Sequence, residues 1–168
     1  MLPGKIGVLR FILGCGLAAL LASAALPAAD RGIVPISVCE AVRDLPAHEG
    51  QTVAVVGRYC YRTSAHWLDQ QGCQPATTIP AALWVVENLE TAPKAPEVFE
   101  FDAVELDKRL LEVQQHTPLG RFRFGSTDYD RWAVVYGRVE SHKGEDAGKF
   151  GASLVIRGNR MIIFLPRP

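Results

Sequence analysis

The sequence predicts a mostly β domain: a five-stranded barrel with one long helix between its third and fourth strands and a short N-terminal helix before the first. Three observations carry that expectation. Residues 52–62 alternate, with Val53, Val55, Gly57, Tyr59 and Tyr61 on one face and Ala54, Val56, Arg58, Cys60 and Arg62 on the other, the period-two pattern of a strand with two unlike sides. Residues 131–141 (RWAVVYGRVES) repeat that β-branched and aromatic content over a similar length. Residues 102–116 carry sustained helical spacing, with Leu106, Leu110 and Val113 on one face.

In chain order, residues 33–35 read as extended. Ser37 then stands as an N-cap with Glu40 three positions on, the capping-box arrangement, and Val38, Val42 and Leu45 recur at helical spacing until Pro46 stops a helix of about two turns. Residues 47–50 turn into the first strand. A second strand over residues 66–69 is closed by Gln70-Gln71-Gly72, and Leu83-Trp84-Val85-Val86 centres a third over 82–87. Pro93 and Pro96 make residues 88–101 irregular. In the long helix Asp102 and Glu105 form a capping-box variant and Phe101 and Leu106 a hydrophobic staple. Ala103 shares the face of Leu106, Leu110 and Val113, and Val104 and Leu111 widen that stripe, while Lys108, Arg109, Glu112 and Gln115 face away. The stripe is expected to pack on Val53, Val55 and Trp84, with Tyr59, Tyr61 and Trp84 filling the barrel. Arg121-Phe122-Arg123-Phe124 has the alternation of a short extra strand, residues 143–151 form a polar loop, and residues 152–165 read as a last strand broken around Gly158-Asn159.

This order resembles the OB-fold, a five-stranded Greek-key barrel. Gln51 to Tyr59, with Gly57 inside it, resembles the glycine-bearing first strand of such barrels, and Ala133 to Val139 resembles the fourth with its Val-x-Gly-x-Val pattern. Together with Cys39-Glu40, Leu45, Gly50 and Cys73, the first part is similar to small exported bacterial proteins of unknown function. The resemblance covers residues 37–165 and implies that Gly57 lets the first strand bend between two sheets and that the long helix plugs one end. The chain departs from nucleic-acid-binding members of that fold in lacking net positive charge.

Lys5 and Arg10 precede a run without charge over residues 11–29, and Ala22-Ser23-Ala24 supplies the Ala-x-Ala of a signal-peptidase site. Residues 1–24 are therefore expected to be a signal peptide, 25–36 an extended segment and 37–168 one barrel domain, exported to the periplasm or secreted. Cleavage at Ala28 or Ala29 fits as well. The alternatives are an uncleaved anchor, for which the run is just long enough but rich in Ala and Gly, and lipidation at Cys15, which the apolar run follows instead of precedes. Loss of Lys5 and Arg10 leaves 16 basic against 18 acidic residues, a formal charge of −2 that argues against a nucleic-acid partner and against stable association with an anionic membrane. Cys39, Cys60 and Cys73 then remain where disulfides persist, enough for one bridge and a remainder. Cys39 and Cys73 both lie at segment ends and are the expected pair; Cys60 to Cys73 is the alternative.

Basic and aromatic side chains interleave along two segments, and Arg58, Arg62, Trp67, Arg121, Arg123 and Trp132 are the candidate ligand-binding residues, a set able to stack on bases or sugars. Packing in and around the barrel is the competing explanation. His48, His66, His116 and His142 lack the spacing of a metal site, Glu40, Glu49 and Asp69 lack any spacing that joins them as a catalytic pair, and Cys39 suits a disulfide better than a nucleophile. Neither a Gly-x-Ser-x-Gly nor a phosphate- or dinucleotide-binding fingerprint occurs, and no cofactor is implied. Two readings follow: an exported module binding a protein, peptide or glycan of the cell envelope, or an exported enzyme whose active site has no sequence signature. Export with cleavage after Ala24 predicts a mature chain beginning at Ala25, which intact-mass measurement of exported material checks; a retained Met1 refutes it.

Overall fold

The long strands of this chain have apolar side chains on both faces, and the fold covers both. In the computed structural model, residues 32–74, 76–120, 124–142 and 148–166 are described. The expected signal peptide, residues 25–31 of the extended segment, and the Arg121-Phe122-Arg123 tract lie outside the described residues. Chain order is β1 (Ile36–Ser37), α1 (Val38–Arg43), α2 (Leu45–His48), β2 (Thr52–Arg62), β3 (Ala65–Asp69), β4 (Ala82–Glu87), α3 (Ala103–His116), β5 (Tyr129–Glu140), β6 (Ala152–Ile156), a 3-10 turn (Asn159–Met161) and β7 (Ile162–Phe164). Among the described residues no helix is long and apolar enough to cross a membrane.

Five strands close on themselves. β2 runs antiparallel to both β3 and β5, β3 antiparallel to β4, β4 parallel to β6, and β6 antiparallel to β5. β1 adds in parallel beside β2, and β7 adds antiparallel beside β5. Counting β1, the long helix follows the fourth strand of the chain and not the third. β1 was expected only as extended chain and an N-cap, because two residues are too few to show alternation.

Inside the barrel lie Val55, Tyr59, Leu68, Leu83, Val135 and Leu154, all at most 2% exposed. Val38, Ala41 and Val42 of α1 join the same cluster, so the short helix supplies the inner plug. Gly57 makes room for it: a Cβ there would stand 2.8 Å from both Val38 Cγ2 and Leu68 Cγ. Ser37 caps α1 through its hydroxyl, and Glu40 reaches back to the Ser37 amide at 2.8 Å, completing the capping box. Pro46 does not end helical structure as expected. It sits in the first turn of α2, where a missing N–H costs no bond. Cys39 and Cys73 are bridged across 34 residues with their Cα atoms 5.5 Å apart, tying the plug to the loop after β3. A bridge of that span contributes about 2–4 kcal/mol.

The outer face of β2 and β5 forms a second core, and α3 covers it. Leu106, Leu110 and Val113 pack with Ala54, Val56, Trp132 and Val134. Both expectations for the long helix are thereby corrected: it meets neither Val53, Val55 nor Trp84, and it lies against the barrel wall, because Ala54 and Val56 make the outward side of β2 as apolar as the inward one. Val104 and Leu111 do not widen the buried stripe either. At 100° per residue they stand about 140–160° around the helix from Leu106, and both are exposed. Arg109, expected to face away, instead reaches Glu40 of α1 at 2.8 Å with its side chain 20% exposed. Asp102 caps α3 by accepting from the amides of Val104 and Glu105, while the Glu105 carboxylate lies 3.5 Å from Lys108 and 3.8 Å from Arg109.

The break in the last strand lies where the sequence placed it. Gly158, at φ 145°, leads into the 3-10 turn that separates β6 from β7. Leu110 is half-buried, so Leu110→Ala should cost about 2 kcal/mol, the lower end for such truncations, and lower the melting temperature. An unchanged melting temperature would mean that α3 does not help hold the barrel together.

Candidate functional site

The outward positions of β2 past Ala54 and Val56 are Arg58, Cys60 and Arg62, and register sets their neighbours. Arg58 stands opposite Asp69 of β3 and Trp132 of β5; Cys60 stands opposite Trp67 and Asp130. Arg58 forms a two-pronged ion pair with Asp69 at 2.7 and 2.8 Å and donates to the Pro118 carbonyl at 2.6 Å. The Asp69 hydrogen bond raises the Arg58 pKa further above its ordinary value, outweighing burial. Arg62 lies 2.8 Å from Asp130 Oδ1, donates to the carbonyls of Tyr61 and Tyr129, and stands 5.4 Å over the Trp67 ring. Asp130 Oδ1 is met by that ion pair without an aligned hydrogen bond, and Oδ2 accepts from the Gly120 amide at 2.9 Å. Between them, burial pushes the Cys60 thiol up and the Asp69 and Asp130 carboxylates add to it, so this cysteine is held as the neutral thiol.

The sequence-derived set therefore divides. Arg58 is committed to a buried ion pair, and Trp132 is 4% exposed beneath α3, so both serve the fold. Arg62 and Trp67 are half-buried and adjacent at the edge of an accessible surface. Arg121 and Arg123 lie outside the described residues. The three carboxylates weighed for catalysis are separate: Glu40 pairs with Arg109, Asp69 with Arg58, and Glu49 accepts from the amide and hydroxyl of Ser141. Among the described residues, no three His, Cys, Asp or Glu side chains lie together as a metal site.

The surface that sequence reasoning missed is the outer wall of β4 and β6. Trp84 was expected inside the barrel, but Leu83 and Val85 take the inward positions and Trp84 stands outside, opposite Trp67 on β3 and Ser153 on β6. Four apolar residues in a row leave strand parity unreadable, and the neighbouring register decides it. Phe150 packs edge-on to Trp84 at 4.7 Å and lies 6.1 Å from Trp67. His142 stands 6.0 Å from the Trp84 ring, with Nδ1 2.8 Å from Ser153 Oγ. Two clefts lie here, the larger on this wall and the smaller between the β2–β3 hairpin and the end of β4. One of about 580 Å³ is lined by Glu49, Asn88, Arg138, Glu140, Ser141 and Ser153; the other, of about 330 Å³, by Tyr61, Arg62, Ser64, His66, Trp84 and Glu87. Val86 lines both, so they adjoin across β4. Arg138 is paired with Glu140 through Nε at 3.0 Å.

Burial alone would raise the Asp130 carboxyl, but the Arg62 guanidinium, the Gly120 amide and the charge of Arg58 together hold it below the usual carboxylate range. An unfolded aspartate titrates near pH ~4, so the contribution of Asp130 is complete above that pH and is lost as pH falls through the lower folded value. Asp130→Asn should accordingly flatten the fall in unfolding free energy between about pH 4 and pH 2, measured by urea melts. Equal slopes for the two proteins would refute the assignment. No family model matches this chain, and comparison with curated proteins and with solved structures found no match.

Proposed function

We propose that the chain is an exported binding module on an OB-like Greek-key barrel, and that it takes its ligand on the outer wall of β4 and β6. The observation that carries this reading is the larger cleft, where hydroxyl, amide and paired ionic groups meet Val86, with Trp84 two positions away on the same face of β4. Concave surfaces that combine an aromatic floor with a few directed polar groups are the usual form of ligand sites. The Greek-key reading is supported by the ring order β2-β3-β4-β6-β5, with β4 and β6 as its one parallel pair. Export is supported by the signal-like first residues and is compatible with the Cys39–Cys73 bridge. Binding is favoured over catalysis because the carboxylates lining the larger cleft are already engaged, Glu49 with Ser141 and Glu140 with Arg138.

The three tryptophans provide the test. Trp67 and Trp84 border the wall, whereas Trp132 lies beneath α3. Titration of the mature chain with a solubilised cell-envelope extract should shift the indole N–H resonances of Trp84 and Trp67 and leave Trp132 unmoved. Trp84→Phe should weaken the effect without loss of the fold. Shifts confined to Trp132, or none at all, would overturn the proposal.

A further inference from the structure

Apart from the outer wall, we infer that the smaller cleft takes an extended segment of a partner polypeptide, with a basic side chain between two apolar ones, added as a short strand along the end of β4. Three features of that cleft lead there. The first is an open strand edge. β4 is paired with β6 to its last residue, Glu87 opposite Ile156, but its pairing with β3 ends at Trp67 opposite Trp84, three residues earlier. β3 leaves because its other edge is tied to β2, with His66 opposite Tyr61 and Ala65 opposite Arg62. The neighbours of β4 fix where its main-chain groups point. The Asn88 amide donates to Ile156 and the Ala82 carbonyl accepts from Gly151, both on the β6 side, whereas the Ala81 carbonyl accepts from Gln70 on the β3 side. These groups alternate between the two edges of a strand, so Glu87 directs its amide and carbonyl into the cleft, where no strand lies opposite. An extended peptide adds to an edge of this kind.

The second is charge. Arg62 lines the cleft but is paired with Asp130 at 2.8 Å and lies 3.9 Å from Asp128. Glu87 has no cationic partner among the described residues. By alternation its side chain shares the inward face of Leu83 and Val85, and its charge reaches Tyr59, whose phenol is pushed up first by burial and then by Tyr129, Tyr61 and Glu87. A peptide residue paired opposite Glu87 in antiparallel register exchanges both main-chain bonds with it and carries its Cβ about 5 Å away on the same face, where an opposite charge is favoured.

The third is the lining on the two faces. Tyr61 and His66 line the cleft from the hairpin with ring centroids 5.9 Å apart, on the inward face that Glu87 shares, and aromatic rings attract an ammonium or guanidinium group. Trp84 and Val86 line it from β4 on the outward face, toward which the two residues flanking the basic one would point. Apolar, basic, apolar is therefore the pattern that fits. At about 330 Å³ the cleft stands at the lower end of ligand-site sizes, which suits a short segment.

The experiment uses the purified chain and the capped peptide acetyl-Thr-Val-Lys-Val-Thr-amide. Its comparisons are the same peptide with glutamate in place of lysine, the same peptide N-methylated at the lysine amide, and butylammonium as the side-chain cation alone. In the free chain the Glu87 amide should exchange quickly with deuterium. The lysine peptide should slow that exchange and shift the Glu87 and Tyr61 resonances while leaving Trp132 unmoved. Glu87→Gln, a change at an exposed strand end that leaves the barrel intact, should weaken binding by up to about fivefold, the range of an opposite-charge cross-strand pair, and about 0.5 M salt should weaken it in the same direction. A Glu87 amide already protected in the free chain would mean that the chain's own residues occupy the edge, and the inference fails. It fails equally if the lysine peptide does not bind, if its affinity is unchanged in Glu87→Gln, or if the glutamate or N-methylated peptide binds as tightly. Butylammonium matching the peptide would reduce the site to a cation pocket, and shifts confined to Asn88 and Ser141 would put the peptide on the wall; either result overturns strand addition.

Discussion

Everything in this fold depends on β2 being paired along both edges, with β5 from Thr52 to Tyr61 and with β3 from Arg58 to Arg62. A strand held on both sides cannot slip by one residue without turning every side chain to the opposite face. Its odd positions, Val55 and Tyr59 among them, are thereby fixed inside the barrel, and its even positions outside. The even side then changes character along its length. Ala54 and Val56 make an apolar bed for α3, and Arg58, Cys60 and Arg62 make a charged stretch that α3 does not cover. One strand thus sets the inner core, the seat of the helix and the ionic network.

That network is costly to build and consequential to break. Arg58, Asp69, Arg62 and Asp130 all have side chains no more than about one third exposed, so each charge depends on its partner to offset lost hydration. Its effect is to join β2, β3, β5 and the loop at Pro118 and Gly120 through directed bonds. Cys60, enclosed by it, is chemically quiet, which suits an oxidising compartment in which a reactive third thiol would scramble the Cys39–Cys73 bridge.

Legibility in the sequence followed the length and contrast of each pattern. β2 was readable because eleven residues alternate, and the α1 cap because Ser37 and Glu40 sit at a spacing with one local meaning. The Cys39–Cys73 pair was readable from segment ends. The site of α3 was not, since its stripe matches any apolar surface, and the choice between the inner and outer sides of β2 rests on α1 having already filled the interior. Trp132 looked like a binding residue for the same reason: without knowledge of what covers it, an aromatic flanked by Arg131 on a strand reads equally as a platform or as core. Trp84 was misplaced because Leu83-Trp84-Val85-Val86 offers no polar residue to mark the outside.

The division of the outer surface bears on where recognition is possible at all. Around the barrel, β2 and the adjoining half of β5 are covered by α3 or joined by ion pairs. On β4 the covering thins at Trp84 and Val86, while the outward residues of β6, Ser153 and Val155, are buried. Trp84 remains half-buried there, supported from beside by Phe150 and His142, so its ring is held in place before any ligand arrives. A rigid aromatic loses little freedom on binding, and the Ser153–His142 hydrogen bond fixes the polar neighbour in the same way. Affinity on this wall would then come from surfaces already ordered by the barrel.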